Sequence, residues 1–202
     1  MKKSTLAICL LIVITAFVSA RWATHAVSAP PQDVLSTPDT TLALALSLED
    51  MANQSDVIAI GSCVDTKSVW VDRALVTLAT VSITESLKGG ETSTLTVALP
   101  GGVDANRKIP IAMTYPGAPQ IRPGEDVFLF LTSDGEVAGS YTVAGFSQGK
   151  FSIVTDENGE RLVSRDLTKT SLKGNNGVRR GQNDLVPLST LKTQVKGYLK
   201  NE

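Results

Sequence analysis

A chain of 202 residues, 42% apolar and 19% charged, has the bulk of one globular domain and too much apolar material for a disordered one. Two cysteines exclude a disulfide lattice, and a formal net charge of −1 gives no basic surplus of the kind nucleic-acid binders carry. Aromatic residues make up only 5%, so the core is expected to be built from Val, Leu, Ile and Ala.

The N-terminus reads as an address. Lys2 and Lys3 precede an apolar run from Leu6 to Val18, and small residues follow it. This is the layout of a secretory signal peptide, expected over 1–26, with cleavage after Ala20, Ala26 or Ala29. The 13-residue run is short for a membrane span, which needs about 20, so an uncleaved anchor is the lesser alternative. Cys9 sits inside the run, where a lipoprotein cysteine does not belong. Cleavage after Ala26 removes three of 19 basic residues and leaves 16 against 20 acidic ones, a charge of −4. It also removes His25 and Cys9, leaving Cys63 as a lone thiol without an internal partner. The expected location is secreted or periplasmic, with no nucleic-acid partner and no membrane contact after cleavage.

Residues 27–46 mix Pro, Ser, Thr and Ala and read as a linker or disordered N-terminus. One β-barrel domain is expected over 47–202. Ser47 caps a short helix near 48–54, with Glu49 and Asp50 in its first turn. Val57 to Gly61 opens a strand that continues through Val64, and Ser68 to Val71 extends or bends it. Residues 75–87 form a long strand whose apolar face changes from Val76 and Leu78 to Ala79, Val81 and Ile83, which demands a bulge or strong curvature. After Lys88-Gly89-Gly90, Leu95, Val97 and Leu99 alternate with polar or small residues. Residues 101–126, with four prolines, read as a long irregular loop. Val127 to Leu131 is apolar on both faces and belongs at the centre of a sheet. Tyr141 to Ala144 is the next strand. Phe151 to Val154 and Arg161 to Val163 pair across Asn158-Gly159. Residues 166–186 read as a polar, mobile loop. A helix near 189–200 closes the chain, with Leu188, Leu191, Val195 and Leu199 inward and Lys192, Lys196 and Lys200 on a solvated face. The fold class is therefore mainly β: six or seven short strands in a small antiparallel OB-like barrel, with a short N-terminal and a C-terminal helix packed on it.

The chemistry is bounded by what is missing. Ser-His-Asp and Cys-His catalysis need an imidazole that the cleaved chain lacks. The S-x-x-K spacing occurs as Ser147–Lys150 and Ser189–Lys192, without S-D-N or K-T-G partners; the second reads better as a capped helix. Zinc ligands are absent. Asp104-x-Asn106 and Asp156-x-Asn158 begin like calcium loops, but the twelfth residues are Tyr115 and Leu167 where Glu is required. No cofactor and no catalytic residue is assigned. Gly101-Gly102 marks a strand end with close backbone approach. Cys63 is expected in the core. The best binding surface is the loop carrying Asp104, Asn106, Arg107, Lys108, Tyr115 and Arg122, stiffened by proline, with Trp70 as a second anchor.

The runs Ser55-Asp56-Val57-Ile58-Ala59-Ile60-Gly61 and Val81-Ser82-Ile83-Thr84-Glu85-Ser86-Leu87-Lys88-Gly89 resemble the opening of netrin-like modules, the OB-fold domains typified by tissue inhibitors of metalloproteases. Later segments are similar to a group of exported bacterial proteins without an assigned activity: Leu99 to Gly102, Pro116 to Pro119, Pro123 to Leu131 and Gly145 to Phe151. The resemblance implies an OB-type barrel with terminal helices. It does not carry over protease inhibition, because those inhibitors set an N-terminal cysteine on the protease zinc and no cysteine stands at the start of the cleaved chain here. An inhibitor of this kind would act through another contact.

The expected function is a non-catalytic binding module of the cell envelope or exterior that engages a protein or peptide. A hydrolase using carboxylates or a Ser–Lys pair, and a structural envelope component, are the alternatives. Exported material is predicted to begin at Arg21, Val27 or Pro30 and to lack Lys2 and Lys3; intact-mass measurement of the secreted chain checks this, and a retained Met1 overturns it.

Overall fold

The Val, Ile and Thr content of residues 57–88 builds one long antiparallel hairpin, and the rest of the fold is laid against it. The computed structural model describes residues 39–135 and 137–200; the expected signal peptide, with Cys9 and His25, and the linker as far as residue 38 lie outside the described residues. In chain order the elements are β1 (Thr41–Leu44), α1 (Leu48–Gln54), β2 (Val57–Val71), β3 (Ala74–Lys88), β4 (Thr94–Pro100), β5 (Gly102–Asp104) and β6 (Ile111–Met113). Then follow β7 (Asp126–Thr132), β8 (Thr142–Val143), β9 (Lys150–Thr155), β10 (Arg161–Arg165), β11 (Thr170–Gly174), β12 (Gly177–Arg180), β13 (Asp184–Pro187) and α2 (Leu188–Leu199). Among the described residues the protein is mainly β with two helices.

The large sheet runs β13-β10-β9-β7-β2-β3-β4, with β8 on β7. It is open, since β13 and β4 end the ladder and do not pair with each other. One isolated parallel bridge joins Val97 of β4 to Tyr141, with Ala98 N–H donating to Tyr141 O at 2.8 Å and Tyr141 N–H to Thr96 O at 2.9 Å. Register shifts between β2 and β3 occur at Ile58/Ala59, Ile60/Gly61 and Cys63/Asp65, but the pairing runs unbroken through Leu78 and Ala79, where the face change is expected, and Leu75, Ala79 and Val81 share one buried face. Each slip turns the following side chains over and bends the ladder.

Two cores result. Val57, Ala59 and Cys63 of β2 and Val127, Leu129 and Leu131 of β7 face one side, with Ala79, Val81, Leu95, Val97, Leu99 and Ile121. Ile58 and Ile60 of β2 and Phe128 and Phe130 of β7 face the other, under Met51 and Ala52 of α1 and Leu188, Leu191 and Val195 of α2. The rings of Phe128, Phe130 and Phe151 lie 5.3 to 6.4 Å apart, tilted or edge-on, as aromatic quadrupoles prefer. Helix α1 begins with a full capping box: Ser47 Oγ accepts from Asp50 N–H at 3.0 Å and Asp50 Oδ2 accepts from Ser47 N–H at 2.9 Å.

Several expectations are corrected. Thirteen strands are present among the described residues, two of them fifteen residues long, not six or seven short ones. Residues 166–186 are not a loop: they form β11, β12 and β13, because Thr170 and Leu172 are buried on one face and Asn175-Asn176 turns the chain between Gly174 and Gly177. Residues 41–44, assigned to the linker, form β1, which pairs in parallel with β11. The buried Gln148 amide holds that strand's exit, donating to Leu44 O at 2.7 Å and accepting from Leu46 N–H at 2.9 Å. The expected loop 101–126 contains the β5–β6 hairpin, whose tip spans 105–110, and is otherwise irregular from 114 to 125. The N-cap of α2 is Pro187, without a side-chain cap, so Ser189 does not cap it. Lys192 and Lys196 are not simply solvated, since both reach Glu85, at 2.5 and 3.3 Å.

Leu129 is fully buried at the centre of one core. Leu129→Ala is expected to cost about 2–5 kcal/mol of unfolding free energy, read from urea denaturation; a loss below about 1 kcal/mol contradicts the packing described.

Candidate functional site

The candidate residues divide between two places. The first is built on the far ends of β2 and β5. Asp104 closes β5 and turns the chain by accepting from Asn106 N–H at 3.1 Å, so the calcium-like spacing is an Asx turn. Its other oxygen accepts from Trp70 Nε1 at 2.8 Å and from Arg107 Nε at 2.9 Å. The Arg107 guanidinium lies 5.0 Å from the centre of the Trp70 ring. Hydrogen bonds from Trp70 and then Arg107 hold the Asp104 carboxyl below its ordinary range. Trp70 is 37% exposed, and Val103 and Ile109 on the same hairpin are 55% and 77% exposed. Lys108 is exposed beside them. Gly101 and Gly102 let β5 come this close: a Cβ on Gly102 would lie 2.6 Å from Ser68 Oγ, and Gly101 has φ +93°.

The second place is a groove of about 1260 Å³ between residues 114–125 and β9, β10, the connection carrying Asp166 and Lys169, and Arg180 of β12. Tyr115 and Arg122 line it, so the structure separates them from Trp70, Asp104, Asn106, Arg107 and Lys108. Lys150 Nζ donates to Glu125 Oε1 at 2.5 Å and to Ser152 Oγ at 2.7 Å, and Ser152 Oγ donates on to Glu125 Oε1 at 2.7 Å. This trio ties the proline-rich wall to β9. Ser147 is nearly buried and bonds Thr170 Oγ1 at 3.3 Å, so the Ser147–Lys150 spacing does not place the two side chains together. Asp166 is held below its ordinary range by the Thr168 N–H and hydroxyl, so it remains an acceptor at neutral pH.

Sequence reasoning missed Glu125, Ser152, Asp166, Lys169 and Arg180 as groove residues. The Pro123-Gly124-Glu125 turn was the one local signal, and it fixes a turn without saying which strand lies beneath it. Cys63 is buried as expected; its surroundings push the thiol up, burial first, and its Sγ donates to Asp65 O at 3.4 Å. Among the described residues no cluster of three or more His, Cys, Asp or Glu side chains is gathered to hold a metal ion, and no helix is long and apolar enough to cross a membrane.

Burial is the largest influence on Glu125 and raises it, but Lys150, Ser152 and the Arg122 N–H together hold the carboxyl below its ordinary value of 4.5. A lowered folded value means the pairing stabilises above pH 4.5 and is lost as pH falls through the folded value. The unfolding free-energy difference between the wild type and Glu125→Gln is therefore expected to be level near neutrality and to shrink on acidification. A difference that widens below pH 4.5 reverses the assignment.

No family model, no curated protein and no solved structure matches this chain.

Proposed function

We propose that this chain is an exported, non-catalytic binding module that engages a protein or peptide through the Trp70–Asp104–Arg107 cluster. The carrying observation is an exposed tryptophan fixed in place before any partner arrives. Its indole N–H is already bonded and one face of its ring is covered by a guanidinium. Tryptophan and arginine are the side chains most enriched at binding hot spots, and a pre-set rotamer loses little entropy on association. Exposed Val103 and Ile109 extend the apolar contact area around it. The hairpin that carries them supplies the ridge a partner's cleft would receive.

The OB-like reading belongs to the same proposal. Strands β2, β3 and β4 form a meander, β7 lies against β2, and β4 meets Tyr141 in parallel beside β8. This order supports a barrel-like wrap around the core of Val81, Val97 and Leu129. The netrin-like resemblance rests on β2 and β3, where its residues fall. The expected signal peptide supports export.

The test uses the exported chain, in which cleavage after Ala26 leaves Trp70 as the one tryptophan of the two in the sequence. Addition of a partner captured from the envelope or culture medium is expected to shift Trp70 fluorescence. Trp70→Ala is expected to weaken that complex by about 2 kcal/mol or more, roughly thirtyfold, while Lys150→Ala leaves it unchanged. Equal binding by wild type and Trp70→Ala overturns the reading. Hydrolytic activity lost on Lys150→Ala would move the protein to the enzyme class.

A further inference from the structure

The small sheet β1-β11-β12 presents a second surface, and it does not depend on the Trp70 ridge. The register places Leu42, Ser171 and Arg180 in one row across the sheet and Leu44, Lys173 and Val178 in the next. Leu42, Leu44 and Val178 are 60%, 69% and 61% exposed, so this face is turned to solvent while Thr170 and Leu172 are buried on the other. Residues 167–183 carry Lys169, Lys173, Arg179 and Arg180 and no acid, in a chain whose net charge is −1. Among the described residues no carboxylate forms a salt bridge with any of these four cations.

The edge of this sheet is open as well. Strand β12 pairs with β11 on one side only, and all four of its residues are exposed. The two-residue turn makes Gly174 and Gly177 a hydrogen-bonded pair, and bonded pairs recur at every second position. The Gly181 N–H donating to Thr170 O at 2.8 Å fixes that phase. Val178 and Arg180 therefore turn their backbone N–H and C=O groups away from β11. Among the described residues β12 has neither proline nor a covering element; it is guarded only by its length of four residues and by Arg179 and Arg180, which turn away uncharged or basic strands and leave an acidic one acceptable.

We propose that β12 is a docking edge, joined by an extended acidic segment of a partner protein as a further strand. Backbone bonds to Val178 and Arg180 supply affinity, and alternate side chains supply selectivity: an apolar residue beside Val178 and a carboxylate beside Arg180, two positions apart. Charge decides between occupants. Pairing β12 with the same edge of a second copy gathers Arg179 and Arg180 from both chains, whereas an acidic strand neutralises them.

The probe is a fluorescein-labelled, end-capped octapeptide repeating valine, threonine, glutamate and threonine, titrated into the exported chain and followed by anisotropy. Saturable binding is expected, and it is expected to weaken with added salt and to vanish when lysine replaces glutamate. N-methylation of one alternating set of peptide amides is expected to weaken binding about tenfold, and methylation of the other set to leave it unchanged, because only one set faces the edge. Val178→Pro removes an outward N–H without breaking the β11 ladder, and is expected to weaken binding to a similar extent, about tenfold. Arg180→Glu is expected to cost about fivefold. The methylated peptides test the proposal on the unaltered protein even where a substitution disturbs folding. No binding, equal effects of the two methylated sets, or equal binding of the lysine peptide overturns it. So does a dimer that Val178→Pro abolishes, or displacement of the peptide by phosphatidylglycerol vesicles, which would give the face to a second copy or to a lipid surface.

Discussion

The pairing of β2 with β7 is the constraint from which the rest of the fold follows. Six register pairs, from Val57 with Leu131 to Ser62 with Asp126, lock two strands whose side chains are buried on both faces. Odd-numbered residues of both strands feed one core and even-numbered residues the other. A slip of one position would exchange Phe128 and Phe130 with Val127 and Leu129 and misfit both cores at once. The helices have a place only because this register turns the phenylalanines toward them.

The same register positions the two candidate sites without using their side chains. Strand β2 continues past the shared core and carries Trp70 to its far end, where β5 meets it. The Asp104 carboxylate there binds an indole, a guanidinium and a backbone amide together, which turns three exposed groups into one rigid unit. In the groove, Glu125 plays the corresponding part between a proline-stiffened wall and Lys150 on β9. Both clusters spend their charges on shape.

The sequence made local features readable wherever neighbours in the chain determine them. Ser47 with Asp50 announces the helix cap, Asn158-Gly159 the β9–β10 hairpin, and the unbroken run Val127 to Leu131 a doubly covered strand. The face change after Leu78 pointed to a slipped ladder; slips are present, but they fall at Leu87 and Thr84 of β3 and at Val64 of β2, not between Leu78 and Ala79. Strands β11 and β12 went unread because they are short, glycine-ended and mostly polar, and their one buried face rests on only Thr170 and Leu172. The grouping of Trp70 with Asp104 and Arg107, apart from Tyr115 and Arg122, depends on tertiary placement that spacing along the chain does not encode. The Glu125–Lys150–Ser152 trio is hidden for the same reason.

The parallel pairing of β1 with β11 sets an order of events. Thr40 and Ser171, whose hydroxyls meet beside that pairing, stand 131 positions apart in the chain. A polypeptide made from its N-terminus presents residues 41–44 long before β11, the strand they dock on, has been made. Leu44 O and Leu46 N–H likewise wait for the Gln148 amide, 104 and 102 positions further on, and closing so wide a loop is slow. The small sheet is thus closed by a strand made well before its partner, and β1 stays undocked until β11 arrives.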